Sequence, residues 1–223
     1  MTTESAPEVT ALNGALPERI EETKHLFPEL DDDKIDKLSA YCRLVWEANK
    51  RVNLVSRKDA VHLYERHLWN SLAAIKYWKP KPGTTAIDVG TGGGFPGVPL
   101  AISFPDVSFT LLDSTRKKIE SIDAMLKEIG VFNARPLWQR AEEHPEKYDC
   151  VWGRGVSVPP DFFRLAAPLL NCKAAPVCYL TGGSDDDIKA WKKAKIRVEA
   201  HNLHAVLPHT FFETKFLLFL GLK

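Results

Sequence analysis

The sequence predicts an α/β fold in which a doubly wound, mostly parallel sheet follows a cap of helices. From Thr85 onward, short apolar runs alternate with helical segments, which is typical of a parallel sheet covered on both faces. The last two apolar runs, Lys195–His204 and Phe211–Leu220, are separated only by a turn that contains Pro208. They predict a hairpin that ends the sheet with an antiparallel strand.

The hydrophobic pattern divides the chain into three segments. Residues 1–13 have no apolar period and are expected to be disordered. Residues 14–82 form the predicted N-terminal helical cap, and residues 83–223 form the main domain. A chain of 223 residues fits one main fold with such an appendage.

Two amphipathic helices are predicted in the cap. The acidic run Asp31–Asp33 favours a helix N-terminus because carboxylates interact well with the helix dipole. Apolar residues then recur at helical spacing as far as Val52. A second helix is predicted over Lys58–Trp78, and the run Pro80–Gly83 ends it.

The main domain contains alternating strands and helices before the C-terminal hairpin. The predicted strands are Thr85–Val89, Ser108–Leu112, Arg135–Trp138, Tyr148–Trp152 and Pro176–Leu180. The predicted helices lie near Pro99–Phe104, Thr115–Ile129, Asp161–Leu170 and Asp185–Lys193. A parallel sheet that ends in an antiparallel strand is the class I, Rossmann-like variant of the doubly wound fold that methyltransferases use.

The composition is that of an ordinary globular protein, with 44% hydrophobic and 26% charged residues. No apolar run approaches the ~18 residues of a membrane span. The polar start Met1–Glu8 lacks the basic and apolar regions of a signal peptide. We therefore expect a cytoplasmic protein with no membrane partner, and we expect it to be a monomer.

The cysteines show no CxxC spacing and lie mostly in apolar runs, where a small buried side chain is the better interpretation. We therefore expect neither a metal site nor disulfides. The four positions are Cys42, Cys150, Cys172 and Cys178.

Charge is distributed unevenly along the chain. Residues 1–36 hold ten acidic and three basic residues. Because the whole chain carries a net charge of +1, the rest of it carries +8. This asymmetry favours a basic face on the main body and is compatible with an RNA partner.

The strongest motif follows the first predicted strand, where Asp88–Gly97 reads DVGTGGGFPG. Glycines at this place allow a tight turn and a close approach of the backbone to a ligand at the carboxyl end of the strand. A glycine-rich turn without a ligand is the less favoured alternative because of this position.

Two cofactors compete for this motif. A dinucleotide binds GxGxxG, a pattern that Gly92, Gly94 and Gly97 satisfy. S-adenosylmethionine binds DxGxGxG, which Asp88 completes by standing two residues before the first glycine. Pro96 also removes a backbone amide where a pyrophosphate would need donors. The motif thus favours S-adenosylmethionine, and a dinucleotide remains the alternative.

Two further motifs stand at the ends of the next predicted strands. Asp113, followed by Ser114, ends the second strand about twenty residues after the glycines, where a carboxylate accepts hydrogen bonds from ribose hydroxyls. A helix N-cap is a compatible interpretation. Arg140–Glu143 follows the third strand, where adenine is usually held, although an acidic loop alone is more often simply solvated.

The run Gly153–Gly155 follows the fourth strand, where the transferred methyl group should lie, and it holds a single arginine, Arg154. The Asn-Pro-Pro-Tyr motif of many base-methylating enzymes is missing, since Pro159–Pro160 stands too far along and is better explained as a helix start. A cysteine nucleophile is missing too, because Cys150 lies inside the strand. We therefore expect no catalytic acid or base and assign a positioning role to Arg154.

These motifs resemble those of the RsmG family, which is also called the glucose-inhibited division protein B family. Its members methylate guanine N7 in 16S rRNA. The resemblance covers residues 46–168. It includes WEANKRVNL at 46–54, RHLWNSL at 66–72 and the long DVGTGGGFPGVP run, together with the LLDS, RAEE and GRG motifs. It implies methyl transfer from S-adenosylmethionine to guanine N7, at the position called 527 in the family's name, on 16S rRNA or the small ribosomal subunit.

The resemblance, taken with the motifs, assigns residues to two sides of a site. The cofactor side comprises Asp88, Gly90, Gly92, Phe95, Asp113, Ser114, Thr115, Ala141, Glu142 and Arg154. The RNA side comprises Arg66, His67, Ser71 and Arg116. For Arg66 and His67 taken without the family, a solvated helix face is an equally good interpretation.

The chain departs from the family pattern at four positions. The family usually has aspartate, serine, alanine and lysine, in that order, where this chain has Asn70, Gly153, Gly155 and Thr181. The cofactor residues are unaffected, whereas loss of the lysine would remove a contact to phosphate or base. Two alternative functions remain open at this point: a dinucleotide-dependent oxidoreductase, and a ribosome-assembly factor that keeps the cofactor fold without catalysis.

Overall fold

A seven-stranded sheet forms the centre of the main domain in the computed structural model, which describes residues 7–156, 159–181 and 196–222. The strands lie in the order β3-β2-β1-β4-β5-β7-β6. Strands β1 to β5 pair in parallel, and β7 pairs antiparallel with both β5 and β6. The strands are β1 Thr85–Val89, β2 Ser108–Asp113, β3 Ala134–Trp138, β4 Cys150–Arg154, β5 Val177–Thr181, β6 Ile196–Asn202 and β7 Phe216–Leu222. The predicted fold class is confirmed.

Seven α-helices accompany the sheet within the described residues. They are α1 Pro7–Leu26, α2 Asp32–Asn49, α3 Arg57–Ala60, α4 Asn70–Leu72, α5 Gly97–Ser103, α6 Arg116–Glu128 and α7 Pro159–Ala166. The N-terminus of α2 forms as expected, since the side chain of Asp31 accepts a hydrogen bond from the amide of Lys34 at 2.9 Å. The predicted helix Asp185–Lys193 lies outside the described residues.

Helix α1 was not predicted, since the first helix expected in the cap begins at the acidic run Asp31–Asp33. It takes in residues 7–13 of the segment that we expected to be disordered, while residues 1–6 lie outside the described residues. Its C-terminal part is anchored, because the hydroxyl of Thr23 accepts a hydrogen bond from the indole of buried Trp69 at 2.9 Å. Once such a turn is fixed, a helix extends at little cost into residues that have no apolar pattern of their own.

The predicted continuous helix Lys58–Trp78 is wrong. The structure replaces it with α3, a π-helix over Tyr64–Trp69, the short α4 and a 3₁₀ turn over Ala73–Lys76. Most of the apolar residues that suggested a regular helix, among them Leu68 and Leu72, are buried, whereas Val61 is 48% exposed. A local widening of the helix keeps them on one face, so the hydrophobic period gave no sign of it.

Two strand boundaries also differ from the prediction. Strand β4 runs two residues further than expected, so Gly153 and Arg154 belong to the strand and not to the loop after it. Strand β7 begins at Phe216, because residues 210–212 form a 3₁₀ turn. Both shifts arise because the prediction located strands from runs of apolar residues. Such runs do not include a glycine or an arginine within a strand, and they do not show where a turn interrupts the run.

One apolar core joins the cap to the main domain. Buried cap residues such as Tyr41 and Trp69 belong to the same cluster as Phe95 and Trp152 of the main domain. A second cluster lies on the other face of the sheet and includes Val151 and Phe162. The cap is therefore packed directly on the domain that it precedes.

Disulfides, metal sites and membrane-spanning helices each require particular features of the described residues. Cys42, Cys150 and Cys178 are buried and Cys172 is exposed, and all four are free thiols. Among the described residues, no group of three or more metal-binding side chains occurs. No described helix has both the length and the hydropathy that a membrane crossing requires.

Candidate active site

The glycine-rich loop between β1 and α5 lies where the carboxyl ends of the central strands meet. Gly90, Gly92 and Gly94 all have left-handed backbone conformations, with φ of 69°, 58° and 81°. A side chain at Gly90 would meet Val156 at 2.8 Å, and one at Gly94 would overlap the hydroxyl of Tyr41. The loop is thus closely packed on two sides, and only glycine fits these positions.

Asp88 supports this loop from beneath. Its Oδ2 accepts hydrogen bonds from the hydroxyl of Thr91 at 2.7 Å and from the amide of Gly97 at 2.9 Å. The carboxyl group is fully buried, which raises its pKa to about 6, and its Oδ1 has no hydrogen-bond partner among the described residues. The side chain thus braces the loop, and the contact of Asp88 with the cofactor stays a prediction.

Asp113 joins two loops at the end of β2. Its Oδ2 accepts a hydrogen bond from the amide of Gly92 at 3.0 Å, and its Oδ1 accepts one from the amide of Thr115 at 2.8 Å. A carboxylate offers about four lone-pair positions, so two remain for further donors such as ribose hydroxyls. The interpretations of Asp113 as a ribose acceptor and as a helix cap are compatible in this geometry.

A cleft of about 510 Å³, which we call the glycine-loop cleft, opens above these residues. Five of the residues assigned from sequence to the cofactor line it: Gly90, Asp113, Ser114, Ala141 and Glu142. The sequence did not reveal its apolar walls, which include Val89, Leu112, Val156 and Leu165. Apolar walls with the two carboxylate residues Asp113 and Glu142 fit a nucleoside such as that of S-adenosylmethionine.

The other residues assigned to the cofactor are not part of the lining of that cleft. Gly92 and Thr115 act through their backbone amides, as described above. Phe95 is only 2% exposed, and its ring lies 5.4 Å from the ring of His67 and 5.5 Å from the guanidinium of Arg154. Phe95 and Arg154 thus lie outside the lining of this cleft, and their contact with the cofactor stays a prediction.

A second cleft, of about 810 Å³, lies beside the first, and we call it the Arg154 cleft. The linings of the two clefts are one residue apart at the end of β4, because Gly155 lines the Arg154 cleft and Val156 lines the glycine-loop cleft. The Arg154 cleft is lined by Asp59, Arg66, His67, Asn70, Arg154, Gly155, Leu180, Phe211 and Lys215. It therefore draws residues from the cap, from β4 and from the C-terminal part of the chain.

Arg154 is the central side chain of this second cleft. Its Nη2 donates to Nδ1 of His67 at 2.6 Å, and its Nη1 donates to the carbonyl of Arg66 at 3.2 Å. Burial lowers the pKa of Arg154 to about 10, so the guanidinium stays charged at neutral pH. Burial, followed by the charge of Arg154, lowers the pKa of His67 to about 3, so this imidazole is neutral.

Three cations and one carboxylate set the charge of the cleft. Arg66 donates to Oδ1 of Asp59 at 2.7 Å, and its guanidinium lies 5.3 Å from the ring centre of Phe211. The ammonium of Lys215 lies 4.7 Å from the same ring, and burial lowers its pKa. With Arg154, these side chains leave the cleft with an excess of positive charge. The sequence did not predict a site role for Asp59, Phe211 or Lys215, because these residues stand outside the motifs.

Two residues expected on the RNA side, Ser71 and Arg116, are not part of the lining of the Arg154 cleft. Ser71 is fully buried and donates its hydroxyl to the carbonyl of His67 at 2.7 Å, so its predicted contact with RNA is corrected to an internal one. Arg116 is exposed and lies 5.4 Å above the ring of Trp138. The indole of Trp138 donates to the carbonyl of Ser114 at 3.0 Å, although 55% of the residue is exposed. This pair stands at the rim of the glycine-loop cleft.

The cap holds the glycine-rich loop from the opposite side. The hydroxyl of Tyr41 donates to the carbonyl of Gly93 at 2.6 Å. The side-chain oxygen of Asn49 accepts hydrogen bonds from the amides of Leu54 and Val55 at 2.8 and 3.0 Å. These bonds set the chain segment that packs against Gly93, so the cap supports the loop from this side.

Comparison with known proteins agrees with this geometry. The family model described as rRNA small subunit methyltransferase G matches residues 34–210. A protein of that name from Christiangramia forsetii is 38% identical and covers 92% of this chain and 98% of its own length. The one from Flavobacterium johnsoniae is 34% identical, with 92% and 99% covered.

Solved structures support the fold at lower identity. An S-adenosylmethionine-dependent methyltransferase from Aquifex aeolicus has a TM-score of 0.51 and 16% identity, covering 69% of this chain and 89% of its own. A ribosomal protein L11 methylase from Lactobacillus delbrueckii subsp. bulgaricus has a TM-score of 0.52 and 12% identity, with 70% and 77% covered. With the family match over most of its length, the chain belongs to the rRNA small subunit methyltransferase G family, whose members are S-adenosylmethionine-dependent enzymes.

Proposed function

We propose that this protein transfers the methyl group of S-adenosylmethionine to N7 of a guanine in 16S rRNA. The observation that carries the proposal is that the linings of two different clefts are one residue apart at the end of β4. One is apolar and ends in the Asp113 carboxylate, as a nucleoside cofactor requires, and the other is cationic, as an RNA nucleotide requires. Family membership supports the same reaction class.

The proposed reaction needs no general base. When bound, S-adenosylmethionine would supply a methyl group carried on a sulfonium. Guanine N7 would bond to this carbon with its in-plane lone pair as the sulfur–methyl bond breaks and S-adenosylhomocysteine leaves, and N7 has no proton to lose. The residues at the junction match this requirement, since His67 is neutral with a pKa of about 3 and Arg154 remains protonated. The side chains act by holding the base and by excluding water, so alignment supplies the rate enhancement.

Arg154 is proposed as a positioning residue. Its two hydrogen bonds connect β4 to residues 66 and 67 of the cap, and its guanidinium lies over Phe95. These contacts fix the wall between the two clefts. The buried carboxyl group of Asp88 stabilises the charge of Arg154 through the Coulomb interaction.

RNA outside the target nucleotide is proposed to contact the rim formed by Arg116 and Trp138. An exposed tryptophan offers a stacking surface for an unpaired base, and an arginine beside it offers a phosphate contact. Lys117 is also exposed at this place, which adds positive charge. Both clefts are complete within one chain, and we therefore propose that a cytoplasmic monomer is the acting form.

A methyl-transfer assay tests the proposal directly. Small subunits that lack the modification are incubated with the protein and tritium-labelled S-adenosylmethionine, and the labelled nucleotide is mapped. We expect one labelled guanine in 16S rRNA, with the label lost under conditions that cleave N7-methylated sites. Binding of S-adenosylhomocysteine without any transfer would support an assembly factor instead, and label on an exocyclic amine would contradict N7 as the target.

A further inference from the structure

Three residues that line the Arg154 cleft carry buried polar atoms without a hydrogen-bond partner among the described residues. The side-chain oxygen of Asn70, Nε2 of His67 and Nε of Arg66 are all buried, and none has a hydrogen-bond partner among the described residues. The residues Asn70 and His67 are only 6% and 9% exposed. A buried polar atom left without a partner costs ~1–3 kcal/mol, so several in one cleft indicate a ligand that pairs with them.

The proton position on His67 is fixed by its neighbour. A guanidinium has only donors, so Nδ1 of His67 must accept the hydrogen bond from Arg154. The ring is neutral, with a pKa of about 3, and its single proton is therefore on Nε2. His67 thus presents a donor to the cleft and cannot exchange it for an acceptor while Arg154 is in place.

His67 lies in the π-helix and Asn70 begins α4, and both residues line the Arg154 cleft. The side chain of Asn70 presents an amide oxygen, which is an acceptor, beside the donor of His67. A donor next to an acceptor is complementary to an edge that carries an acceptor next to a donor. In guanine, O6 and N1–H form such an edge, and O6 lies on the side of the ring that carries N7.

We propose that His67 and Asn70 read the target base as guanine, with Nε2–H of His67 donating to O6 and the Asn70 oxygen accepting N1–H. The inference rests on the proposed function and names two specificity-determining residues for it. Adenine presents the reverse pattern, an amino group and an unprotonated N1. The Asn70 amide could turn to suit adenine, but the donor of His67 could not, because Arg154 holds its tautomer.

The contact of Asn70 should also strengthen during the reaction. Positive charge moves onto the purine as N7 is methylated, and this makes N1–H a better donor. An acceptor at N1–H therefore stabilises the transition state more than the bound substrate, and such differential binding increases the rate. Asn70 should affect the rate of methyl transfer more than the affinity for RNA.

The test compares three target bases in reconstituted small subunits: guanosine, inosine and 2-aminopurine. Inosine keeps O6, N1–H and N7, whereas 2-aminopurine keeps N7 but lacks both O6 and N1–H. Single-turnover rates are measured for the wild type and for the Asn70→Leu and Asn70→Asp variants. S-adenosylhomocysteine affinity and thermal unfolding report whether each variant is folded. Because intrinsic reactivity of each base is the same with every enzyme, the ratio between enzymes isolates the contribution of Asn70.

We expect wild-type enzyme to methylate inosine nearly as fast as guanosine and 2-aminopurine at least ~100-fold more slowly, the scale of two lost hydrogen bonds. Asn70→Leu should lower the guanosine rate by roughly 30-fold and reduce the preference for inosine over 2-aminopurine, with cofactor affinity unchanged. Asn70→Asp keeps an acceptor and should lower the guanosine rate less than Asn70→Leu does.

Different failures have different meanings. If the wild type methylates guanosine while Asn70→Leu keeps both its rate and its base preference, the assignment of Asn70 is wrong and the proposed function stands. If Asn70→Leu does not fold, the wild-type arm decides, since equal rates on inosine and 2-aminopurine would overturn the base-reading role. If the wild type methylates none of the three bases, the proposed function fails and this inference fails with it.

Discussion

Arg154 at the end of β4 donates a hydrogen bond of 2.6 Å to Nδ1 of His67, which lies 87 residues earlier in the cap. This bond connects the catalytic end of the sheet to the helical segment that lines the Arg154 cleft. It also fixes the tautomer of the imidazole. The cap is therefore part of the active site and contributes more than a cover for the sheet.

Replacing Arg154 should separate cofactor binding from methyl transfer. Arg154→Ala is expected to lower the single-turnover rate by ~100-fold, because both the wall between the clefts and the His67 tautomer are lost. Affinity for S-adenosylhomocysteine should change less than about threefold, since Arg154 is not part of the lining of the glycine-loop cleft. Arg154→Lys, which keeps the charge and one donor, should recover part of the rate. Calorimetry showing that Arg154→Ala abolishes cofactor binding would contradict this assignment.

Asp113→Ala should weaken S-adenosylhomocysteine binding by ~1.5–3 kcal/mol, the scale of charge-assisted hydrogen bonds to ribose. The structure adds a second effect, because the amides of Gly92 and Thr115 lose their acceptor, and stability should fall by ~1–2 kcal/mol. Calorimetry and urea unfolding measure the two effects separately. Ser114→Ala is the control, since it alters the adjoining side chain and leaves the carboxylate. Unchanged affinity in folded Asp113→Ala would remove Asp113 from the cofactor site.

His67 should make stability depend on pH in a defined direction. Burial lowers its pKa in the folded protein to about 3, whereas an unfolded histidine titrates near ~6.5. The unfolded chain binds more protons between these values, so the stability contributed by this group is present above pH ~6.5 and is lost as the pH falls toward 3. Asp88 has the opposite effect, because its folded pKa of about 6 lies above the ~3.9 of an unfolded aspartate.

The His67→Gln variant separates these two contributions. It retains Asp88 and removes the titration of the imidazole. Between pH 6.5 and 5, the wild type should lose stability relative to the variant by up to ~1.4 kcal/mol per pH unit. Urea unfolding at a series of pH values measures this difference. Parallel stability curves for the two proteins would show that His67 is not a low-pKa group.

RNA binding should depend strongly on salt although the net charge is only +1. Arg116→Ala should reduce the slope of log affinity against log salt by ~1, because one phosphate contact is lost. Trp138→Ala should weaken binding by ~1–3 kcal/mol without changing that slope, since stacking releases no counterions. The pair serves as a matched control for charge against stacking. If the RNA affinity of the wild type, Arg116→Ala and Trp138→Ala did not change with salt concentration, RNA would bind at a surface other than this rim.

The sequence predicted those features that depend on local chemistry. The strands of the main domain are runs of apolar residues. The glycine-rich loop and Asp113 stand in motifs that the structure brings together, since Asp113 accepts a hydrogen bond from the amide of Gly92. The apolar wall residues Val156 and Leu165 stand in no motif. They are recognisable only after β4 and α7 are placed beside the loop.

Long-range contacts explain most of what the sequence did not predict. Lys215 and Phe211 reach the Arg154 cleft because β7 pairs with β5, which no local pattern indicates. Tyr41 bonds to Gly93, 52 residues away, through helix packing. Ser71 was misassigned to the RNA side because its place in a motif does not reveal that its hydroxyl points inward to the carbonyl of His67.

The pH dependence of the single-turnover rate on small subunits tests the central claim most directly, with cofactor and RNA both saturating. Since guanine N7 loses no proton and His67 and Arg154 keep their protonation states, the rate of methyl transfer should be almost flat over roughly pH 7–9. A clear titration of the chemical step in that range, removed by replacing one side chain while both ligands still bind normally, would contradict base-free transfer to N7.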